Sequence, residues 1–460
     1  MNEKTFRLND NYALRKWTDT PYALCNLEFG ETLFLSDIQF QALSFCDGRT
    51  NTNSFYILPI HRKYIDRFKE LNIISESDRK LDDYQKLKEF NNEYVHTAHW
   101  SITGKCNFKC RHCCMSSPSH KYDELSLDKC LYIIDQLHQC GINNVSLTGG
   151  EPLLRKDFLD IIDALIKNRI NISHIYTNGS LVDEKLLNEI KNRNLRPIFS
   201  LSFDGLCFHD WLRNVTGAEQ MAIKAIKLIN KYEFPIDVEM CLHRLNSHTL
   251  ESTINYLASI GVTSLKTNPV GNSGEWIKEN GKYDLSYEEL YDIYLDYIPK
   301  FLNNHSPLSL HLGGFFYCDK GTKDYIIPAE KFDGTVKALD CKLCDHAKKN
   351  MYISPDGSIL PCFSLSGLDI DNKTNIIEIP LSSALKDSHY LALVNYKLKD
   401  LLDNNETCNN CEHKLTCGGG CRASALISDK NYLGIDKSIC TIFKNDYINK
   451  IKNIIRLDVV

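Results

Sequence analysis

No stretch of this chain approaches the roughly 20 consecutive apolar residues that a membrane-crossing helix needs, and the opening MNEKTFRLNDNYALRKW lacks the apolar block of a secretion signal. An excess of charge of one sign is missing too. The 54 Lys and Arg stand against 59 Asp and Glu, a formal net charge of -5, with no polybasic or acidic tail. The positive footprint of a nucleic-acid binder is therefore absent. Low-complexity tracts and internal repeats are also lacking. These absences exclude helical membrane proteins, charge-held nucleic-acid binders and repeat arrays. They leave a soluble protein expected in the cytoplasm, with neither membrane nor nucleic acid as a partner.

What is present is cysteine, 19 in a chain of 460 residues. The length predicts two or three domains. Hydrophobic content of 43% with 25% charged residues is that of an ordinary globular protein. With no sign of export, thiolates for metal or redox work account for the cysteines better than disulfides do. Eleven fall in two groups with ligand-like spacing, at 106–113 and 341–440. Most of the other eight (Cys25, Cys46, Cys114, Cys130, Cys140, Cys207, Cys241 and Cys318) read as small buried hydrophobes.

Residues 1–80 read as a module of their own. PYALCNLE and ETLFLS are strands joined at Phe29-Gly30, a hairpin signal. A capped helix over Asp37–Cys46, a helix from His61 to Leu71 and a strand at Asn72–Ile74 follow, an order that resembles a winged helix. The charged run from Glu76 to Tyr94 predicts a solvated helical linker, assigned to 81–94. From 95 onward strand and helix patterns alternate. Strands are expected at 96–102, 143–148, 172–177, 197–203, 236–242 and 262–268. In the first intervening helix Leu127, Leu131, Ile134 and Leu137 recur at helical spacing, between Ser126 as N-cap and Gly141 as stop. Six βα units predict an α/β fold with a parallel sheet or partial (β/α)6 TIM-type barrel over 95–310. Residues 311–334 bridge to a cysteine-rich third domain at 335–460, with short strands at Asn350–Pro355 and Gly357–Pro361.

The segment KCNFKCRHCC (105–114) sets Cys106, Cys110 and Cys113 in C-x3-C-x2-C spacing after the first barrel strand. Zinc or chance spacing would account for such a triplet taken alone. An iron–sulfur cubane normally takes four cysteines, so three leave one iron without a protein ligand. Gly149-Gly150-Glu151-Pro152 follows the second strand, and Asn178 follows the third in Tyr176–Gly179. Ser200, Ser202 and Asp204 end the fourth. Together these residues resemble the radical S-adenosylmethionine (SAM) superfamily. The resemblance implies a [4Fe-4S] cluster on Cys106, Cys110 and Cys113 whose open iron binds SAM and cleaves it to a 5′-deoxyadenosyl radical. It implies that Glu151 accepts from the SAM ammonium and that Ser200, Ser202 and Asp204 contact its ribose and carboxylate. His112 then stands where the family places a ring against adenine. Cys114 is expected not to coordinate.

Further on, Cys344-x12-Gly357-x4-Cys362 and the block Cys408-x2-Cys411-x5-Cys417-x3-Cys421 with a later Cys440 are similar to the SPASM domain. That resemblance implies two auxiliary [4Fe-4S] clusters, three in all. One would use Cys408, Cys411, Cys417 and Cys440. The other would use Cys344, Cys362 and Cys421, with Cys341 as fourth ligand and Cys318 as a competitor. Structural zinc is the rival occupant of paired C-x2-C motifs.

A winged-helix-like module before the barrel and a SPASM domain after it resemble maturases of ribosomally made peptides. The resemblance implies a precursor peptide whose leader binds near residues 31–36 and 61–71, and an electron donor such as flavodoxin or ferredoxin. The implied reaction is oxidative crosslinking by a thioether or carbon–carbon bond. Epimerisation is the alternative, with Cys114 or Cys318 as hydrogen donor. Formylglycine formation as in anaerobic sulfatase maturases is a lesser reading, because Phe363 stands where that class has an Asp base. A zinc-stabilised peptide-binding protein is the non-enzymatic reading. The sequence names neither a catalytic base nor an oligomeric state.

Overall fold

The computed structural model describes residues 4–458 except Ser306, Lys323 and Asp371. Its N-terminal part contains β1 (Phe6–Leu8), β2 (Tyr12–Trp17), β3 (Thr20–Asn26), β4 (Thr32–Phe34), α1 (Asp37–Ser44), α2 (Pro59–Glu70), β5 (Ile74–Glu76) and β6 (Lys88–Glu89). The expected β3–β4 hairpin and both helices are there. Ser36 starts α1 with a capping box, its hydroxyl accepting from Gln39 N–H while the Gln39 side chain accepts from Ser36 N–H. Three strands were not anticipated: β2 and β6 join the hairpin in a sheet ordered β4-β3-β2-β6, and β1 pairs with β5. β4 is an edge strand.

The helix expected between Glu76 and Tyr94 does not form. Its charged residues are solvated, but Gln85, Phe90 and Tyr94 are buried and fix an extended path. Gln85 accepts from Arg7 Nη2 (2.5 Å) and donates to Leu8 O (2.9 Å). Phe90 and Tyr94 pack on Trp17 at 5.3 and 4.8 Å between ring centroids.

The six expected strands follow as β7 (Thr97–Ser101), β8 (Asn144–Thr148), β9 (Asn171–Thr177), β10 (Ile198–Ser202), β11 (Ile236–Leu242) and β12 (Ser264–Pro269), parallel and in sequence order. Helices α3 (Leu127–Gln139), α4 (Phe158–Lys167), α5 (Glu184–Asn192), α6 (His209–Arg213), α7 (Ala218–Lys231), α8 (Leu250–Ser259) and α9 (Tyr287–Asn303) lie between and beyond them. In α3 the buried stripe is Cys130, Ile133, Ile134 and Leu137. Leu131, expected on that stripe, is 39% exposed, and Ser126 makes no side-chain cap.

Along β11, Val238, Met240 and Leu242 join the helix-covered core, so Asp237, Glu239 and Cys241 point into the barrel. A seventh parallel strand, β13 (Ser309–Leu312), extends this side, followed by antiparallel β14 (Phe316–Cys318) and β15 (Tyr325–Ile326). Part of the expected bridge is thus sheet. At the other flank β16 (Asn350–Ile353) pairs parallel with β7, and β17 (Ser358–Leu360) and β18 (Thr374–Asn375) continue antiparallel. The cysteine-rich segment therefore completes a 12-stranded sheet instead of standing apart from it.

The N-terminal part docks where the barrel strands begin. Trp17 Nε1 donates to Cys140 O at the end of α3 (2.9 Å), and Asn171 Nδ2, at the start of β9, donates to Phe29 O (3.1 Å). The Arg169 guanidinium lies 3.7 Å over the Tyr84 ring. No helix among the described residues is long and apolar enough to cross a membrane.

Candidate active site

The loop after β7 is zipped to the loop after β8. Gly150 N–H donates to Thr103 O (2.8 Å) and Glu151 N–H to Lys105 O (2.9 Å), immediately before Cys106. A Cβ on Gly150 would lie 2.2 Å from Lys105 O, and one on Gly149 2.5 Å from Thr103 O, so only glycines allow this approach. Pro152 is buried at the start of the short 3-10 turn Pro152–Leu154.

This seam sets the three thiols. Cys106 Sγ accepts from Phe108 N–H and Cys113 Sγ from Ser117 N–H, both at 3.4 Å. Cys110 Sγ accepts from Arg213 Nη1 at 3.8 Å. Cys106 feels Cys110 and Cys113 electrostatically. Burial pushes the Cys106 thiol up to about 12 and raises that of Cys110, so together they ionise readily only around a cation. That donor set suits an iron–sulfur cluster. The Cys114 thiol accepts from Ser366 Oγ at 3.9 Å and also feels Cys113.

Glu151 is fully buried and braces two loops. It accepts from Leu153 N–H (3.1 Å), Thr177 Oγ1 (2.9 Å) and Asn178 N–H (2.8 Å). Burial raises its carboxyl to about 7. Asn178 donates through Nδ2 to Asn107 Oδ1 in the cysteine loop (2.9 Å). Ser200 and Ser202 lie on β10 on the barrel's inner face. Asp204, just beyond, is fully buried and ion-paired with Arg213 Nε (2.6 Å), and it also accepts from Cys241 N–H (3.0 Å). The guanidinium holds the Asp204 carboxyl well below the usual carboxylate range, although burial alone would raise it.

Arg213 is the residue that sequence reading missed. It stands between Cys110 and Asp204, eleven positions past the end of β10, and nothing in its spacing marks it. Around it, His112 Nδ1, His209 Nε2 and His243 Nε2 are buried without a hydrogen-bond partner among the described residues. Burial lowers His112 to about 3 and His243 to about 4, so both rings are neutral. One donor atom each of His112, Asp204 and Cys241 lies within 4.8 Å of the others. Orphaned buried nitrogens beside this Asp204–Arg213 pair suit a ligand with several polar groups next to the thiols.

The C-terminal thiols sort into two sets by mutual electrostatic influence: Cys344 with Cys362 and Cys421, and Cys408 with Cys411, Cys417 and Cys440. Cys341 is exposed and its Sγ donates to Lys337 O (3.6 Å). Cys318, its competitor, lies on β14 on the opposite flank of the sheet from β17. Of the scattered cysteines, Cys25, Cys46, Cys130, Cys140 and Cys318 are buried as expected, while Cys207 is exposed and Cys241 faces the barrel interior.

Comparison with known proteins agrees with this geometry. Residues 100–257 match the Radical SAM superfamily. The antilisterial bacteriocin subtilosin biosynthesis protein AlbA of Bacillus subtilis (strain 168) is 23% identical over 385 residues, 79% of this chain and 75% of that protein. The PqqA peptide cyclase of Granulibacter bethesdensis is 25% identical over 333 residues, 71% and 82% of the two chains. The crystal structure of Streptococcus suis SuiB bound to precursor peptide SuiA superposes with a TM-score of 0.68 at 18% identity, covering 95% of this chain and 100% of that one. Residues 100–257, which carry the loop of three thiols, the glycine seam beside it and strands β8 to β11 beneath, thus match a domain of the Radical SAM superfamily.

Proposed function

We propose that the chain is a radical SAM enzyme that modifies a ribosomally synthesised precursor peptide by oxidative crosslinking, through a thioether or carbon–carbon bond. The domain implies SAM and a [4Fe-4S] cluster. Bound together they supply a 5′-deoxyadenosyl radical that removes a hydrogen atom from a substrate. Cys106, Cys110 and Cys113 would hold the cluster, and Arg213 with the orphaned imidazoles would hold SAM. His112 would lie against its adenine, with Ser200 and Ser202 on the wall below. Glu151 and Asn178 orient the loops; Glu151's three hydrogen bonds favour a bracing role over contact with the SAM ammonium.

The observation that carries the reading is the sorting of ten thiols into sets of three, three and four. Two auxiliary clusters in the 335–460 region would accept the electron that crosslinking releases, one of them on Cys408, Cys411, Cys417 and Cys440. The other would use Cys344, Cys362 and Cys421, with Cys341 as its fourth ligand. The first 80 residues would recognise the leader. β4 offers an unpaired edge with Leu33 and Phe34 half-exposed, suited to strand addition next to α2. A flavodoxin or ferredoxin would supply electrons, and the setting would be cytoplasmic. AlbA is named for bacteriocin biosynthesis, PqqA cyclase for a peptide, and SuiB is seen with a precursor peptide.

Anaerobic reconstitution tests this. About twelve iron and twelve sulfide per chain match three cubanes, and Cys106→Ala should end 5′-deoxyadenosine formation. Zinc in place of iron, or SAM cleavage persisting in that variant, defeats the reading. Epimerisation remains the second reading, favoured by one feature: the Cys241 thiol faces the barrel interior beside His112. It predicts deuterium uptake without a change in hydrogen count, lost in Cys241→Ala.

A further inference from the structure

The barrel interior holds a charged pair that no role above uses. Ser202, Glu239, Lys266 and His311 stand side by side in register across β10, β11, β12 and β13. Lys266 Nζ lies 3.9 Å from Glu239 Oε1, and these side chains are 42% and 41% exposed although both belong to inner strands of the sheet. The space in front of them is therefore open to solvent. Glu239 precedes Cys241 by two positions, roughly 7 Å along the strand, and Cys241 adjoins His112 of the cysteine loop. Tyr176 feels the Glu239 charge, the His99 ring lies 4.9 Å from the Tyr176 ring, and Phe363 lies 5.7 Å from His99. Glu239 thus lines a chamber that reaches from the cysteine loop to the neighbour of Cys362.

We infer that Glu239 is the proton acceptor for the peptide group that closes the crosslink, a role that rests on the peptide-modifying reading. A crosslink replaces one C–H and one X–H bond by a C–X bond. The C–H hydrogen atom goes to the 5′-deoxyadenosyl radical, the X–H proton to Glu239, and the remaining electron to an iron–sulfur acceptor. The other carboxylates facing the interior are committed elsewhere. Glu151 holds three hydrogen bonds, Asp204 pairs with Arg213, and Asp237 lies one step farther from His112, with His174 at 3.8 Å. Phe363 cannot take a proton. His99 and His311 are neutral and weakly basic, lowered by burial and by Lys266 to about 3 and about 4. Glu239 is exposed enough to meet a peptide, and the ammonium of Lys266 stands beside it at 3.9 Å.

The test is the ratio of crosslinked peptide to 5′-deoxyadenosine formed by the reconstituted full chain, with the Tm of each variant measured without cofactors. Glu239→Gln should lower the ratio roughly a hundredfold or more, with the abstracted hydrogen replaced from solvent, and Glu239→Asp should restore part of it. A wild-type ratio in Glu239→Gln at unchanged Tm overturns the inference. So does a parallel fall of product and 5′-deoxyadenosine, which marks a structural role. If the wild-type chain cleaves SAM but leaves its precursor unaltered, the peptide reading falls and the acceptor role falls with it.

Discussion

Glu151 shows how much of one residue's role is set by its surroundings. Its ordinary carboxyl value of 4.5 rises to about 7 because burial outweighs three hydrogen bonds. A group raised in the folded state stabilises fully below its unfolded value and loses that contribution as pH climbs through the folded value. The apo protein should therefore lose stability between about pH 4.5 and 7, by at most about 3 kcal/mol. Glu151→Gln should flatten that stretch of the pH profile in chemical denaturation. The sequence showed that a carboxylate sits there, but its acceptor directions depend on where the loop after β9 returns. Arg213 was illegible for the same reason: a helix of five residues aims it, and its partners lie 9 and 103 positions away.

At the scale of elements, the alternation in β11 and the spacing of the cysteines could be read directly, since period and ligand count are local. The six strands followed from that pattern, whereas the grouping of the auxiliary thiols came only from the resemblance to the SPASM domain. The segment from 76 to 94 misled because charge says solvent while three buried side chains decide the path. β13 and β16 belong to the sheet through long-range parallel pairing, which short apolar runs do not announce. The glycine seam yields a sharp expectation. Gly150→Ala should displace the cysteine loop, lowering iron retained after desalting by at least about half and stability by about 1–3 kcal/mol.

Across the whole molecule, one polar node ties three regions together. Lys348 Nζ pairs with Asp19 (3.0 Å) and with Glu93, while Asn395 Nδ2 donates to Glu93 (3.1 Å). The pairs are partly exposed, at 15% for Lys348 and 31% and 24% for its partners. Lys348→Met should therefore cost only about 1–2 kcal/mol, yet speed limited proteolysis near residues 80–95, where the N-terminal part would loosen.

The N-terminal part sits where the barrel strands begin, whereas the cysteine loop sits where they finish. β9 runs seven residues between those ends, about 20 Å. A leader held on β4 must send its chain over that height before any residue meets the radical, and extended chain covers about 3.3–3.6 Å per residue. Under the proposed leader-binding reading the protein would act as a ruler: a residue nearer than about six positions to the recognised segment would be out of reach. Trimming a precursor's spacer below that length should abolish modification with leader affinity intact. Doubling the spacer should cost only about 0.6 kcal/mol of closure entropy.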